Sequence, residues 1–180
     1  VVNNETGVIQ PINQIAEIAH AKEALFMTDA TQAVGKMSIK VDEYGIDLMA
    51  FSGHKFYGPK GIGGLFIRGR RPNKAKPIPL IHGGGHERGF RSGTLNVPGI
   101  IGMGMAAKIA QNEMIQDSKK IGSFRNELEA QLLRIENTFL NGHKEKRLHN
   151  VSNICFRGAD ADAIMVGLEN IMVSNGSACS

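Results

Sequence analysis

Three short apolar runs, each bounded by charge, glycine or a reactive residue, constrain this chain more than any other feature. Residues 24–28 (Ala-Leu-Phe-Met-Thr) end at Asp29, and residues 48–52 (Leu-Met-Ala-Phe-Ser) end at Gly53-His54-Lys55. Residues 64–67 (Gly-Leu-Phe-Ile) follow the glycine-rich Gly58-Pro59-Lys60-Gly61. Continuous runs of this length read as buried strands. Ahead of them, Pro11 stands where a first helical turn tolerates proline, and Ile12, Ile15, Ile18 and Ala19 follow at helical spacing. Helix, strand, strand, strand over short connections predicts an α/β sheet covered on both faces.

The rest of the chain changes character. A basic connector, with Arg68, Arg70, Arg71, Lys74 and Lys76, leads to Gly83-Gly84-Gly85, which no regular element tolerates. Pro98 then opens a helical stretch to about Glu136, expected to break near Gly122. Met105, Ile109, Met114, Ile121, Phe124, Leu128 and Leu132 form its apolar stripe. The last third reads as a strand over 148–156, a helix over 160–169 and a strand over 171–173. This change of layer predicts a second, smaller domain, with the division at 1–110 and 111–180. The chain opens on Val1-Val2 without a methionine and stops at Ser180, which is the expectation for an internal segment of a longer protein.

Composition removes several classes. At 42% apolar residues the chain builds a core, and disorder is excluded. No apolar run approaches the roughly 20 residues of a membrane helix. A net charge of +4 is mild and favours a small anionic ligand over a nucleic-acid groove. The connector's cations lack the interleaved aromatics that stack bases. Two cysteines, Cys155 and Cys179, make neither a disulfide framework nor a zinc knuckle, which points to a reducing, cytoplasmic setting.

Ligands of open α/β sheets gather at the carboxyl ends of strands. There the sequence offers Asp29 with Gln32 one turn later, then Ser52, His54 and Lys55, and Asn3 and Asn4 after Val1-Val2. A lysine amine can hold an aldehyde cofactor as a Schiff base, and an aspartate can keep a pyridine nitrogen protonated. Both roles belong to pyridoxal 5'-phosphate, whose phosphate would take donors such as Ser52, His54 and turn amides. The competing reading makes Asp29 a helix N-cap and Lys55 a solvated loop cation. Cys179, in the small-residue stretch Ser174-Asn175-Gly176-Ser177-Ala178-Cys179, reads as an exposed nucleophile or ligand. Cys155, between Ile154 and Phe156, reads as a buried strand residue. His82 and His86 stand four apart, but the glycines between them forbid the helix a metal pair needs, so no metal site is expected.

The motifs Val2-Asn3-Asn4-Glu5-Thr6-Gly7, Asp29-Ala30-Thr31-Gln32-Ala33-Val34-Gly35-Lys36 and Ser52-Gly53-His54-Lys55-Phe56-Tyr57-Gly58-Pro59 resemble those of cysteine desulfurases. So do His82-Gly83-Gly84-Gly85-His86-Glu87-Arg88-Gly89-Phe90-Arg91-Ser92-Gly93-Thr94 and the Cys179 loop. The likeness runs in order along the whole chain and is strongest to the NifS/IscS-like branch. It implies a homodimeric fold-type-I pyridoxal phosphate enzyme, with the mainly parallel sheet of a large domain and the start of a smaller α+β domain. Its implied activity converts L-cysteine to L-alanine, with the sulfur held as a persulfide and passed to an acceptor or iron–sulfur scaffold protein.

Carried over by position, Lys55 is the Schiff-base lysine and proton shuttle, Asp29 pairs with the pyridinium nitrogen and Gln32 bonds the ring's phenolic oxygen. Asn4 lies near the ring, Ser52 and His54 hold the phosphate, Thr94 reaches the phosphate of the partner subunit, and Cys179 takes the sulfur. The family's ring-stacking histidine and phosphate cup fall before Val1 and its carboxylate-gripping arginine after Ser180, so these residues alone are expected to be inactive. A selenocysteine lyase, a class-V aminotransferase and a non-catalytic scaffold remain as alternatives. The cysteine loop argues against the aminotransferase, and Lys55, Asp29 and Cys179 argue against the scaffold.

Overall fold

The computed structural model describes residues 1–69 and 75–176. The expectations for Arg70, Arg71 and Lys74 of the connector and for Cys179 lie outside the described residues. The chain divides into two units, Val1 with Pro11–Met114, and Val2–Gln10 with Ile115–Ser180.

In the first unit, helix α1 (Ile12–His20) starts at Pro11, whose missing N–H is an orphan at a helix start in any case. It buries Ile12 and Ala16 but leaves Ile15 and Ile18 exposed, so its inward stripe is narrower than the spacing predicts. Strands β1 (Met27–Asp29), β2 (Leu48–Ser52) and β3 (Gly63–Ile67) form a sheet in the order β1-β2-β3. β1 and β2 run parallel, with Asp29 opposite Ala50. β2 and β3 run antiparallel, with Ser52 opposite Gly63. The parallel character of this α/β sheet therefore rests on the β1–β2 pair among the described strands. The connection 53–62 is shorter than the dozen or so residues a parallel crossover needs.

Among the described residues one sheet face is covered. Thr28 and Met49 are buried on it, whereas Met27 and Leu65 on the other are exposed, which corrects the expectation of two buried faces. Side chains alternate along a strand, so Asp29 and Ser52 stand on the open face.

A buried charge ties the elements together at the opposite end of the sheet. Asp47 is fully buried, and its Oδ2 accepts from Phe26 N at 2.8 Å and faces His20 Nε2 at 2.8 Å. Arg68 Nε stands 3.3 Å from Asp47 Oδ1 while donating to Ile46 O, and its Nη1 bonds Asp42 at 2.8 Å. Arg68 is thus built into the fold and is no free member of a solvated connector. A buried carboxylate persists only when charge and hydrogen bonds replace its water.

Helix α2 (Val97–Leu132) runs as one element through Gly122, against the expected break. A single helical glycine costs about 1 kcal/mol relative to alanine, and the strong helix formers around it outweigh that. Its inward residues also differ from the predicted stripe. Gly99, Ala106, Gly122 and Glu129 are buried, while Met105, Ile109, Phe124 and Leu128 are exposed. Close approach decides the face: a Cβ on Gly102 would stand 2.6 Å from Pro59 Cγ, and one on Gly53 would stand 3.3 Å from Met103 Cγ.

In the second unit, β4 (Thr138–Leu140), which the sequence reading passed over, pairs antiparallel with β5 (Ile154–Phe156). Cys155 is on β5 as expected but exposed, because it shares the outward face of this two-stranded ribbon with Phe139. Helix α3 (Ala161–Gly167) is capped by Asp160, whose Oδ1 accepts from Ala163 N at 3.0 Å. Residues 171–173 form no strand and are exposed. The buried centre of the unit is ionic: Arg147 makes a two-pronged contact to Glu129, and Arg125 Nη1 donates to Leu148 O at 2.7 Å.

Candidate active site

Asp29 and Ser52 end neighbouring parallel strands on the open face. Ser52 lies two residues beyond Ala50, the partner of Asp29, so their Cα positions are offset by about 7 Å along the strands. Asp29 Oδ1 accepts from Thr31 N at 2.6 Å, turning the chain out of β1 into the turn 30–37. Ala30 and Ala33, fully buried, seat that turn, and Ala30 N bonds Ala50 O at 2.8 Å.

Beyond Ser52 the chain makes a 3-10 turn, Gly53–Phe56, that carries His54 and Lys55. Backbone bonds close it at both ends: Gly53 N donates to Ile62 O at 2.9 Å and Gly58 N to Gly53 O at 3.0 Å. A Cβ on Gly58 would stand 2.9 Å from Gly53 O, so only glycine lets the chain pass there. Phe56 is buried and anchors the turn, His54 is exposed and Lys55 is half-buried. Ser52 Oγ and His54 Nδ1 are 2.8 Å apart. With the hydroxyl donating, the ring carries its hydrogen on Nε2, and the pair offers a donor to an anion.

The two turns touch. Gly35, at φ +78°, lies so close to the Lys55 turn that a Cβ on it would stand 2.6 Å from Phe56 Cβ. This brings in a residue the sequence reading left without a role. Lys36 Nζ lies 3.3 Å from Gln32 O and 3.4 Å from Gln32 Oε1. Burial, and secondarily the charge of Lys55, holds its ammonium below the usual lysine value. Its helical spacing from Gln32 was the available signal. Asp29, Gln32, Ser52, His54 and Lys55 thus share one region of the first unit, where amine, carboxylate and phosphate-type donors coexist.

The other expected residues stand elsewhere. Thr94 is exposed on the loop 81–96, where Ser92 is buried and Gly93 N donates to His86 Nδ1 at 3.3 Å. Asn4 belongs to the second unit and sits in a turn held by Asn3 Oδ1, which accepts from Thr6 N at 2.8 Å and Glu5 N at 3.0 Å. Among the described residues no group of His, Cys, Asp and Glu forms a metal site. A hollow of about 270 Å³ lined by Val41, Asp42, Phe66 and Arg68 lies at the far end of the sheet from Asp29 and Ser52. No described helix is long and apolar enough to cross a membrane.

Known proteins give this geometry a context. The chain is 47% identical over 178 residues to the cysteine desulfurase IscS of Haemophilus influenzae, covering 99% of the chain and 44% of that protein. It is 46% identical over 179 residues to a mitochondrial cysteine desulfurase of Arthroderma benhamiae, covering 99% of the chain and 35% of that protein. The chain therefore spans less than half the length of these curated relatives. The X-ray structure of a NifS-like protein from Rickettsia africae superposes with a TM-score of 0.89 at 35% identity, over 98% of the chain and 48% of that structure. DndA from Streptomyces lividans gives a TM-score of 0.80 at 37% identity, over 93% of the chain and 47% of that structure. The fold is that of these NifS-like proteins, fold type I of the pyridoxal phosphate enzymes. The aminotransferase class-V family matches residues 1–180, and the chain belongs to that family.

Proposed function

We propose that the protein is a cysteine desulfurase that binds pyridoxal 5'-phosphate, converts L-cysteine to L-alanine and keeps the sulfur as a persulfide on Cys179. The observation that carries this reading is the juxtaposition of Asp29 and the Gly53–Phe56 turn at adjacent strand ends. The donor set fits the cofactor group by group. Lys55 supplies the amine for an aldehyde and Asp29 the carboxylate for a pyridine nitrogen. Ser52 and His54, bonded at 2.8 Å, supply donors for a phosphate. When bound, pyridoxal phosphate supplies an electron sink that lets the bonds at the substrate's Cα and Cβ be cleaved.

The chain's own groups do the rest. Lys55 Nζ moves a proton at the substrate's Cα. Gln32 would bond the phenolic oxygen of the ring, and the resemblance to cysteine desulfurases assigns Asn4 to cofactor binding. The Cys179 thiolate attacks the substrate's sulfur: an S–S bond forms, the C–S bond breaks, and its electron pair ends on the substrate carbon, which takes up a proton. One L-cysteine and one protein thiol give one L-alanine and one protein persulfide, with no outside oxidant or reductant. Residues 1–110 form the cofactor-binding part and 111–180 the connecting helix and the nucleophile-bearing part of a smaller domain. Thr94 serves the phosphate of the partner subunit in a homodimer. The persulfide passes to an acceptor protein for iron–sulfur or thio-cofactor assembly in the cytoplasm.

Borohydride reduction followed by peptide mapping tests the reading. It is expected to fix the cofactor on Lys55, and Lys55→Ala to lose both the fixed cofactor and the colour. Formation of alanine with sulfide under reductant supports the desulfurase. A keto acid product overturns it in favour of an aminotransferase, and an uncoloured, unmodified protein overturns the enzyme reading altogether.

A further inference from the structure

Lys36 is a half-buried cation that forms no ion pair with a carboxylate among the described residues. Removing an ammonium from water without a counter-charge is unfavourable, so its placement needs a physical reason. Its contacts are both to Gln32, at 3.3 Å to the backbone oxygen and 3.4 Å to Oε1. The Gly35–Phe56 approach sets it beside the Lys55 turn, since Lys36 follows Gly35 and Lys55 precedes Phe56. Its lowered proton affinity, from burial first and the charge of Lys55 second, agrees with that neighbourhood.

We propose that Lys36 is a positioning residue that holds the carboxamide of Gln32 with its oxygen inward and its NH2 presented to the phenolic oxygen of the bound cofactor. An ammonium carries three donors and no acceptor, so only the oxygen end of the amide can face it. That settles an orientation which the amide, with its near-identical oxygen and nitrogen ends, does not settle alone. Donation into Oε1 also polarises the amide and strengthens its N–H bonds to an anionic oxygen. A neutral residue at position 36 would leave the amide free to turn its oxygen towards the phenolate, where two acceptors meet. The proposal rests on the cofactor reading given above.

The test uses the intact holoenzyme and its Lys36→Met, Lys36→Arg and Gln32→Ala variants. The readouts are the absorption spectrum of the bound cofactor and the affinity of the apo-protein for pyridoxal phosphate. Lys36→Met is expected to weaken cofactor binding about tenfold, the size of one hydrogen bond to a charged group, and to reduce the long-wavelength band as Gln32→Ala does. Lys36→Arg is expected to restore most of both. In the Gln32→Ala background, Lys36→Met is expected to change neither readout, because the coupling has already been removed. Urea unfolding of the apo-proteins separates these effects from a general loss of structure.

A Lys36→Met protein with wild-type spectrum and affinity overturns the proposal alone, as does full additivity with Gln32→Ala. A wild-type protein that takes up no pyridoxal phosphate overturns the cofactor reading and the proposal with it.

Discussion

Replacing Gly35 with alanine loads the contact that joins the Asp29 turn to the Lys55 turn. The new Cβ would stand 2.6 Å from Phe56 Cβ, and Gly35 adopts φ +78°. Carbon atoms rest at about 3.5–4.0 Å, so one turn must retreat by roughly 1 Å. The left-handed backbone costs an alanine about 1–2 kcal/mol and the overpacking about 1–3 kcal/mol, a total of about 2–5 kcal/mol. Gly61 provides the matched control. Its φ is +79°, but nothing lies within 4 Å of a Cβ built there. Gly61→Ala therefore carries the backbone cost alone, about 1–2 kcal/mol. Urea unfolding of the two apo-proteins is expected to place Gly35→Ala below Gly61→Ala by about 1–3 kcal/mol. Cofactor affinity is expected to fall in Gly35→Ala only, since only that substitution pushes apart the two turns that carry Gln32 and Lys55. Equal stability and equal cofactor affinity in the two variants would refute the close contact between the turns.

Three further outcomes follow from the packing. Asp47→Ala leaves Arg68 and His20 facing an empty buried site and is expected to lower stability by about 3–5 kcal/mol in urea unfolding, and a change below about 1 kcal/mol contradicts the buried clasp. Burial alone would raise the proton affinity of Glu129, but hydrogen bonds from Arg147 and Ser152 and the charges of Arg147 and Arg125 outweigh it and hold its carboxyl below the usual value. Its contribution is therefore complete above the ordinary glutamate value of 4.5 and lost as the pH falls through the lower folded value. The stability gap between wild type and Glu129→Gln should narrow in acid, and a gap independent of pH contradicts the ion pair. Gly122→Ala is expected to stabilise α2 by about 0.5–1 kcal/mol, since a Cβ there meets only His149 Cβ at 3.4 Å, and a destabilised variant contradicts the unbroken helix.

The strands of the first unit and their reactive ends were legible because both depend on local chemistry, whereas in the second unit β4 had no signal and 171–173 forms no strand. The run 48–52 is apolar to its last residue and then meets glycine, and β2 spans Leu48–Ser52. Asp29 and Lys55 were candidates because ligands of open α/β sheets gather at the carboxyl ends of strands. Their spacing alone left a helix N-cap and a solvated cation open, and the motifs around them carried the cofactor roles. Long-range packing was illegible. The outward stripe of α2 carries the large apolar residues, while the small residues Gly99, Ala106 and Gly122 lie inward, and at Gly102 of the same helix a Cβ would stand 2.6 Å from Pro59 Cγ. Arg68 looked like one more surface cation, and only the tertiary arrangement reveals Asp47 beside it. Cys155 read as buried from its apolar neighbours, yet a two-stranded ribbon leaves one face open, and that face is the one it occupies.

That exposure gives the protein a second thiol on which the sulfur chemistry can be checked. The most direct measurement incubates the intact holoenzyme with sulfur-labelled L-cysteine without reductant, alkylates it and maps the peptides by mass. The expected result is one added, labelled sulfur atom on the peptide containing Cys179, none on the peptide containing Cys155, and an equal amount of alanine. Label on Cys155, or alanine formed with no sulfur held on either cysteine, would contradict the account.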